Sequence, residues 1–532
     1  MKRYTIGIDF GTLSARAVAL DTATGQEAAG AEFIYPHGVM DRQLPDGQQL
    51  PPMFALQHPR DYLDALQALC GQILQKIPKE QILGLGIDFT TSTVLPVDEK
   101  GEPLCFSAAF AGQPHAYAKL WKHHGPVKQA EKMTQVARAQ NAPWLDGCGG
   151  TVSSEWLFPK ILETLEEAPA VFDATYRFYE AADWLCLMLT GQEVHNPCMA
   201  ALKGCWSAEH GYPSAEYFRA VDPRLENIVG TKVSCKVDRV DEPAGKLSKE
   251  GAFLTGLEEG TVVAMPIGDA HGAMPALNIT KPGQAMAVIG TSGVVMVNTE
   301  KPLAVPGICA LTYGGVFPGI CTMEAGQAAL GDSFDWFVKT FGLSHKELTE
   351  KASRLKPGQS RLVALDWWSG NRSILKNDGL SGMLLGLNLQ TRPEEIYRAL
   401  IESTAYGLRV IVENYEENGV AIGDICAAGG IALKNPMLMQ IYADVLGRTI
   451  TVSGCTQAGA RGSALYAAVA GGVFPDIWQA AEICKLPAVA TYQPKEENVQ
   501  IYHKLFSEYR KLHDYFGKEN PVMDHLCREI GV

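Results

Sequence analysis

Tyr4-Thr5-Ile6-Gly7-Ile8-Asp9-Phe10-Gly11-Thr12-Leu13-Ser14-Ala15-Arg16-Ala17-Val18-Ala19-Leu20 is the run on which the fold turns. A mostly apolar stretch ends in a carboxylate, Gly11 opens a turn, and Thr12 and Ser14 place hydroxyls on it. A second apolar run returns over 15–20, a turn follows at 21–25, and a third run covers 27–35. Apolar runs of this length, separated by Asp, Gly and Thr, predict a three-strand antiparallel meander. Further out, the pattern predicts a helix over 59–76, with Pro59 at its first position and Leu63, Leu66 and Leu69 on one face. A buried strand over 82–89 then exits into Thr90-Thr91-Ser92-Thr93.

The second half echoes this plan. An apolar run at 284–289, the turn Gly290-Thr291-Ser292-Gly293 and a returning run at 294–298 repeat the opening hairpin. A helix over 393–418, a strand over 424–428, Gly429-Gly430, a helix over 436–446, a strand over 449–453 and a helix over 459–470 complete it. The echo predicts two similarly built α/β domains, residues 1–278 and 279–532, with a hinge near 272–283. Residues 100–260 read as an elaboration of the first, with helices over 115–140, 153–167 and 181–189.

Composition narrows the class. At 532 residues the chain has room for about two to four domains. With 46% hydrophobic and 20% charged residues it is neither disordered nor a small disulfide scaffold. A net charge of −13 sets the surface against nucleic acid and anionic membranes, so any phosphate site has to be local. Thirteen cysteines without a Cys-x-x-Cys fit buried thiols in a reducing cytoplasm better than a disulfide framework or a zinc site. The uncharged run 302–323 contains Pro302, Pro306, Gly307, Gly314, Gly315, Pro318 and Gly319, which predicts buried strands joined by turns rather than a membrane span.

Four places carry chemistry. Asp9, Gly11, Thr12 and Ser14 offer a strand-end carboxylate, turn N–H groups and hydroxyls, suited to phosphate oxygens and Mg²⁺, although the same residues build ordinary hairpins. Gly290, Thr291 and Ser292 sit at the equivalent place, so two facing hairpins could grip a triphosphate from both sides. Gly429 and Gly430, followed by Lys434 and Asn435, let a flat ligand approach the backbone, or simply connect a strand to a helix. Asp269, after the apolar run 262–267 and Gly268, is placed as a general base or as a helix N-cap. His271 is expected to be packed rather than catalytic, and Trp367-Trp368 to be core or cleft wall.

These residues resemble the marks of the FGGY family of carbohydrate kinases: Asp9-x-Gly11-Thr12-x-Ser14, Gly268-Asp269-Ala270, Gly290-Thr291-Ser292, Gly382-Met-Leu-Leu-Gly386, Ala399-Leu-Ile-Glu402 and Gly429-Gly430 with Lys434-Asn435. Longer strings match one branch of it: Tyr35-Pro-His-Gly-Val-Met-Asp41, Ala55-Leu-Gln-His-Pro59, Lys119-Leu-Trp-Lys-His-His124, Ser153-Ser-Glu-Trp156, Glu324-Ala-Gly-Gln327 and Ala364-Leu-Asp-Trp-Trp-Ser-Gly-Asn-Arg-Ser373. The resemblance implies two ribonuclease-H-like domains of the actin and sugar-kinase superfamily closing over a central cleft. It implies transfer of the ATP γ-phosphoryl group to the 5-hydroxyl of L-ribulose, with another ketopentose or a pentitol as the alternative acceptor. By motif matching, Asp269 is the general base, Asp9 helps hold Mg²⁺, the Thr12 and Thr291 loops bind phosphates, and Gly429, Gly430, Lys434 and Asn435 bind adenosine. Thr91, Lys203, Asp269 and Glu324 contact the sugar. The implied partner is a small sugar, with no nucleic acid and no membrane, and a homodimer is the candidate assembly. Two departures stand out: Thr91 replaces the branch's Ala, and Ala111-Gly112 replaces charged or polar residues. The first is expected to alter sugar choice.

Overall fold

The computed structural model describes residues 2–530. Two seven-stranded mixed sheets form its frame. The predicted meander is present as β1 (Tyr4–Phe10), β2 (Ser14–Asp21) and β3 (Glu27–Ile34). To it the chain adds β4 (Ile82–Phe89), β5 (Pro243–Lys246), β6 (Val262–Ala264) and the short β7 (Ile267–Gly268). The order is β3-β2-β1-β4-β6-β5, with β7 also on β4. β4 lies parallel to β1 and to β7, and this register sets Asp9 opposite Asp88 and Ile267 opposite Asp88. The carboxyl ends of three parallel strands therefore open at one edge.

The second sheet repeats the scheme with β8 (Ala285–Ile289), β9 (Gly293–Thr299), β10 (Ala310–Tyr313), β11 (Cys321–Gln327), β12 (Ile425–Ala428), β13 (Ile450–Ser453) and β14 (Ala488–Tyr492). Its order is β10-β11-β9-β8-β12-β13-β14. An antiparallel hairpin again comes first, and parallel strands again flank its first member. The uncharged run supplies β10 and the start of β11, as its turn residues suggest. Among the described residues no helix is long and apolar enough to cross a membrane. The thirteen cysteines are unpaired, most of them buried.

Four helices matter for the site. α1 (Pro59–Leu74) starts with Pro and buries Leu66, Leu69 and Ile73. α2 (Asp269–Ala276) follows β7 directly, and α3 (Pro393–Glu417) packs under the second sheet. α4 (Ala458–Ala470) belongs by sequence to the second half, yet lies against β1, β4 and α2 of the first. Glycines permit this approach. A Cβ on Gly7, Gly86 or Gly462 would collide with the carbonyl of Ala460, Ser463 or Gly272 respectively, and one on Gly84 would come within 2.8 Å of the Ala467 carbonyl. Thr5 Oγ1 donates to the Ala464 carbonyl at 2.9 Å across the same contact.

The elaboration departs from its expected outline. No helix runs over 115–140: Ala118–Lys119 is a strand paired with Leu56–Gln57, and the helix is confined to Val127–Ala139. Gly125-Pro126 breaks the helical path, and Lys119 points inward onto Glu163 at 2.6 Å. Likewise Ser153–Trp156 forms a turn, closed by the Trp156 N–H on the Ser153 carbonyl, and its helix covers Leu157–Glu167.

The α4 crossing generates a stability prediction. Gly462→Ala drives a methyl into the Gly272 carbonyl and should destabilise the protein by about 1–3 kcal/mol or more. Gly71→Ala, on α1 with open space around it, should stabilise by about 0.5–1 kcal/mol. Urea midpoints check both, and an unchanged midpoint for Gly462→Ala would contradict the close packing.

Candidate active site

Asp9, Asp88 and Asp269 gather where β1, β4 and β7 end. Asp9 and Asp88 sit side by side in the parallel β1–β4 register, two buried carboxyls that repel as anions. Burial raises the pKa of both, and the Asp9 charge raises Asp88 further. Ser463 Oγ, from α4, donates to Asp88 Oδ2 at 2.6 Å, while Asp88 Oδ1 is buried with no hydrogen-bond partner. Asp269 is the first residue of α2 rather than its N-cap, a place held by Gly268. Its Oδ1 accepts the Ala270 N–H at 2.7 Å. Burial, then the Asp9 charge, push its carboxyl up to about 7.

Among the described residues none of these three carboxyls forms an ion pair, and no group of three ligating side chains could hold a metal alone. Uncompensated carboxylates, one with an orphaned oxygen, fit Mg²⁺, which takes one or two protein carboxylates and fills its shell with water and phosphate oxygens.

The sugar-site residues named from sequence are brought together beside Asp269. Thr91 packs on Gly268 so tightly that a Cβ there would lie 2.5 Å from the Thr91 methyl. Lys203 ends the helix Pro197–Gly204, and its Nζ reaches Glu324 Oε1 of β11 at 3.2 Å. This pair bridges the two halves. Burial opposes both charges, but each stabilises the other: Lys203 is held above its usual pKa and Glu324 below. His271 is buried with Nε2 3.4 Å from Glu324 Oε2, and burial lowers its pKa to about 4, so the ring is neutral. It is a packed residue, as expected.

The two hairpin turns share a closure. Gly11 N–H donates to the Ser14 carbonyl at 3.0 Å, and Gly290 N–H to the Ser292 carbonyl at 3.1 Å. Thr12 is held twice, its carbonyl by Gln57 Nε2 at 2.7 Å and its hydroxyl oxygen by Trp121 Nε1 at 3.1 Å. The Thr291 carbonyl accepts the Leu330 and Asp332 N–H groups, leaving the residue itself exposed. Ser14 turns its hydroxyl to Glu32 at 3.4 Å, so its carbonyl is what it gives the loop. Gly429 has φ 103°, and a Cβ there would lie 2.5 Å from the Ile289 carbonyl, which brings the ends of β8 and β12 together. Gly430 opens the helix Gly430–Lys434; Lys434 is exposed, and Asn435 Oδ1 accepts the Leu438 N–H as the cap of the next helix.

Several residues here were not assigned from sequence. Asp88 was read only as part of a strand. Glu155 and Arg372 lay inside quoted strings without a role, and they form a second bridge between the halves, Arg372 Nη2 to Glu155 Oε1 at 2.6 Å. Burial opposes the Glu155 charge, but Arg372 together with His124 and Lys203 outweighs it and holds the carboxyl down at about 2. The Arg372 guanidinium also lies over the Trp121 ring, 5.5 Å from its centroid. Trp121, His124, Glu155, Lys203, Arg372 and Lys376 line a cleft of about 1360 Å³.

The model of the FGGY family of carbohydrate kinases matches twice, its N-terminal domain over residues 4–274 and its C-terminal domain over 285–471. The chain belongs to the FGGY family of carbohydrate kinases. It is 45% identical to a ribulokinase of Bacillus licheniformis, covering 97% of each chain. It is 40% identical to a ribulokinase of Mycolicibacterium smegmatis, covering 98% of this chain and 96% of the relative. The fold matches crystal structures of xylulose kinases from Brucella ovis (TM-score 0.82, 19% identity, 98% of this chain and 100% of the other) and Rhodospirillum rubrum (TM-score 0.81, 22% identity, 98% and 100%). This FGGY kinase is thus a two-domain α/β phosphotransferase.

The Glu155–Arg372 bridge has a testable consequence. Glu155 has a folded pKa below its ordinary 4.5, so its contribution is complete above that pH and is lost as pH falls toward about 2. Arg372→Met strands the carboxylate and should cost up to about 3 kcal/mol at pH 7, with a smaller loss in acid. Glu155→Gln added to it should recover part of the loss. Denaturant titrations at pH 7 and pH 4 decide it; equal losses at both would show that the pair is not the source.

Proposed function

We propose that the chain is a cytoplasmic ribulokinase that transfers the γ-phosphoryl group of ATP to the 5-hydroxyl of L-ribulose. One observation carries the reading: the buried Asp269 carboxyl is near enough to Asp9, Glu324 and Lys203 for all three charges to act on it, and Thr91 packs on the Gly268 that precedes it. The two named relatives, both ribulokinases, support the choice of sugar. Unpaired cysteines support the compartment.

A sugar hydroxyl is a poor nucleophile at neutral pH. Lys203, Glu324 and Thr91 bind and orient the ketopentose, and the Asp269 carboxylate takes the 5-hydroxyl proton as the bond to phosphorus forms. The N–H groups and hydroxyls of the Gly11–Thr12 and Gly290–Ser292 turns hold the phosphates in line. Asp9, with Asp88 beside it, would hold Mg²⁺, which when bound neutralises charge on the transferring phosphates. Gly429, Gly430, Lys434 and Asn435 would bind the adenosine, the two glycines leaving room for a flat ring to approach the backbone. The domains 1–278 and 279–532 clamp over the pair and keep out water, which would otherwise accept the phosphoryl group. One observation favours a second reading, an FGGY kinase for xylulose, D-ribulose or ribitol: the Thr91 methyl and hydroxyl at the sugar site.

An ADP-release assay across 2-ketopentoses and pentitols tests the assignment. Asp269→Asn should keep ATP and sugar binding and lose about 10²- to 10⁴-fold in kcat. Near wild-type kcat would remove Asp269 as the base. Thr91→Ala should change the ratio of kcat/KM between L-ribulose and its competitors by roughly tenfold to a hundredfold, with KM for ATP nearly constant. Parallel changes for every sugar would place Thr91 outside the discriminating contacts.

A further inference from the structure

The stretches 88–93, 119–124 and 153–156, singled out in the sequence, are only partly used by the chemistry above. The first two meet at one buried lysine, and the third joins them through the Ser92 hydroxyl on the Glu155 carbonyl. Lys160, 1% exposed on the helix Leu157–Glu167, donates from Nζ to the Ser92 carbonyl at 2.5 Å, the Leu120 carbonyl at 2.8 Å and the Lys119 carbonyl at 3.4 Å. An ammonium has three protons, so these acceptors account for its full capacity.

We propose that Lys160 is a positioning residue that fixes the sugar loop and the wall of the phosphate loop in one register. Ser92 directly follows Thr91, whose methyl packs on Gly268 next to Asp269. Leu120 directly precedes Trp121, whose indole N–H holds the Thr12 hydroxyl. Two of its three carbonyls, those of Ser92 and Leu120, therefore adjoin Thr91 of the sugar loop and Trp121, which holds the phosphate hairpin.

Ser92 needs such a hold. It is fully buried with φ 62°, a left-handed conformation that residues other than glycine rarely adopt. Conformations of this kind persist only where surrounding contacts over-determine them. Here the contacts are the ammonium on the Ser92 carbonyl and the Ser92 hydroxyl on the Glu155 carbonyl. Glu155 carries the link on to Arg372 in the second half. Burial works against the Lys160 charge, and Glu180 works for it; the Glu180 oxygens are themselves buried without a hydrogen-bond partner.

Lys119 shows what a purely structural lysine looks like in the same place. Its Nζ binds Glu163 at 2.6 Å, Thr164 Oγ1 at 2.7 Å and the Lys160 carbonyl at 3.1 Å, and touches neither loop carbonyl. The two lysines differ in what they hold, not in burial.

The proposal rests on the sugar-kinase reading of the cleft, and its test separates the two. Hydrogen exchange by mass spectrometry is measured on full-length wild type, Lys160→Met, Ser92→Gly and Lys119→Met, with KM and kcat for L-ribulose. Lys160→Met should speed exchange in the segments 90–93 and 119–122 above the rest of the protein. KM for L-ribulose should rise roughly 10- to 100-fold, the scale on which misplaced binding groups act. Ser92→Gly, which relieves the strained φ, should shift KM the same way, and the double variant by less than the product. Lys119→Met should lower the melting temperature without the local exchange signature. If Lys160→Met is poorly folded, Lys160→Met with Glu180→Gln, which removes both buried charges, carries the comparison. Exchange in 90–93 at the wild-type level, or a KM no different from that of Lys119→Met, would overturn the proposal. A wild type inactive on every ketopentose would defeat the substrate assignment and leave the exchange comparison intact.

Discussion

The close crossing of α4 over β1, β4 and α2 is the contact on which the rest depends. Gly7, Gly84, Gly86 and Gly462 carry no side chain where a methyl would strike backbone, so helix and sheet meet without an intervening layer. Interiors at this density respond to one added methylene with strain. The helix comes from the second half of the chain and lies on the sheet of the first, so it joins the halves at one rigid spot. The same helix delivers Ser463 to Asp88 and lies against α2, whose first residue is Asp269. The joint between the halves and the floor under the three buried carboxyls are thus a single construction.

Charge is distributed around that floor in two ways. Asp9, Asp88 and Asp269 meet where β1, β4 and β7 end without an ion-pair partner, in a chain whose net charge is already −13. Burying uncompensated carboxylates is costly, and raised pKa values are the physical response. A divalent cation with phosphates is the complementary ligand. The walls are treated oppositely: Lys203 with Glu324 and Arg372 with Glu155 are paired, each across the two halves. Paired buried charges contribute little net stability but punish misregister, since separating them leaves an unmatched charge. The arrangement makes the Lys203–Glu324 and Glu155–Arg372 wall of the cleft sensitive to how the halves sit on each other.

What could be read from the sequence was local. The meander follows from apolar runs and turn residues within the first 35 positions, and the second hairpin from its likeness to the first. Asp9, Gly11, Gly290, Gly429 and Asp269 lie at strand ends that the same patterns locate. What escaped was set by distance along the chain. Glu155 meets Arg372 across 217 positions, and Ser463 meets Asp88 across 375, so neither partner announces the other. Asp88 sits in an otherwise apolar strand, and only the parallel register with β1 gives it Asp9 as a neighbour. The helix expected over 115–140 failed because Lys119 and His123 turn inward onto Glu163, a buried polar cluster that helical periodicity cannot distinguish from a solvated face. Gly7 and Gly86 read as ordinary strand glycines until α4 is laid across them.

In the proposed reaction the γ-phosphoryl group of ATP passes to one particular hydroxyl of a five-carbon ketose. The most direct measurement is a ³¹P and ¹³C NMR spectrum of the product formed from L-ribulose, ATP and Mg²⁺. The account predicts a phosphomonoester whose phosphorus couples to C5, formed in step with ADP. Inorganic phosphate with unaltered sugar, or phosphorus coupled to C1, would contradict it.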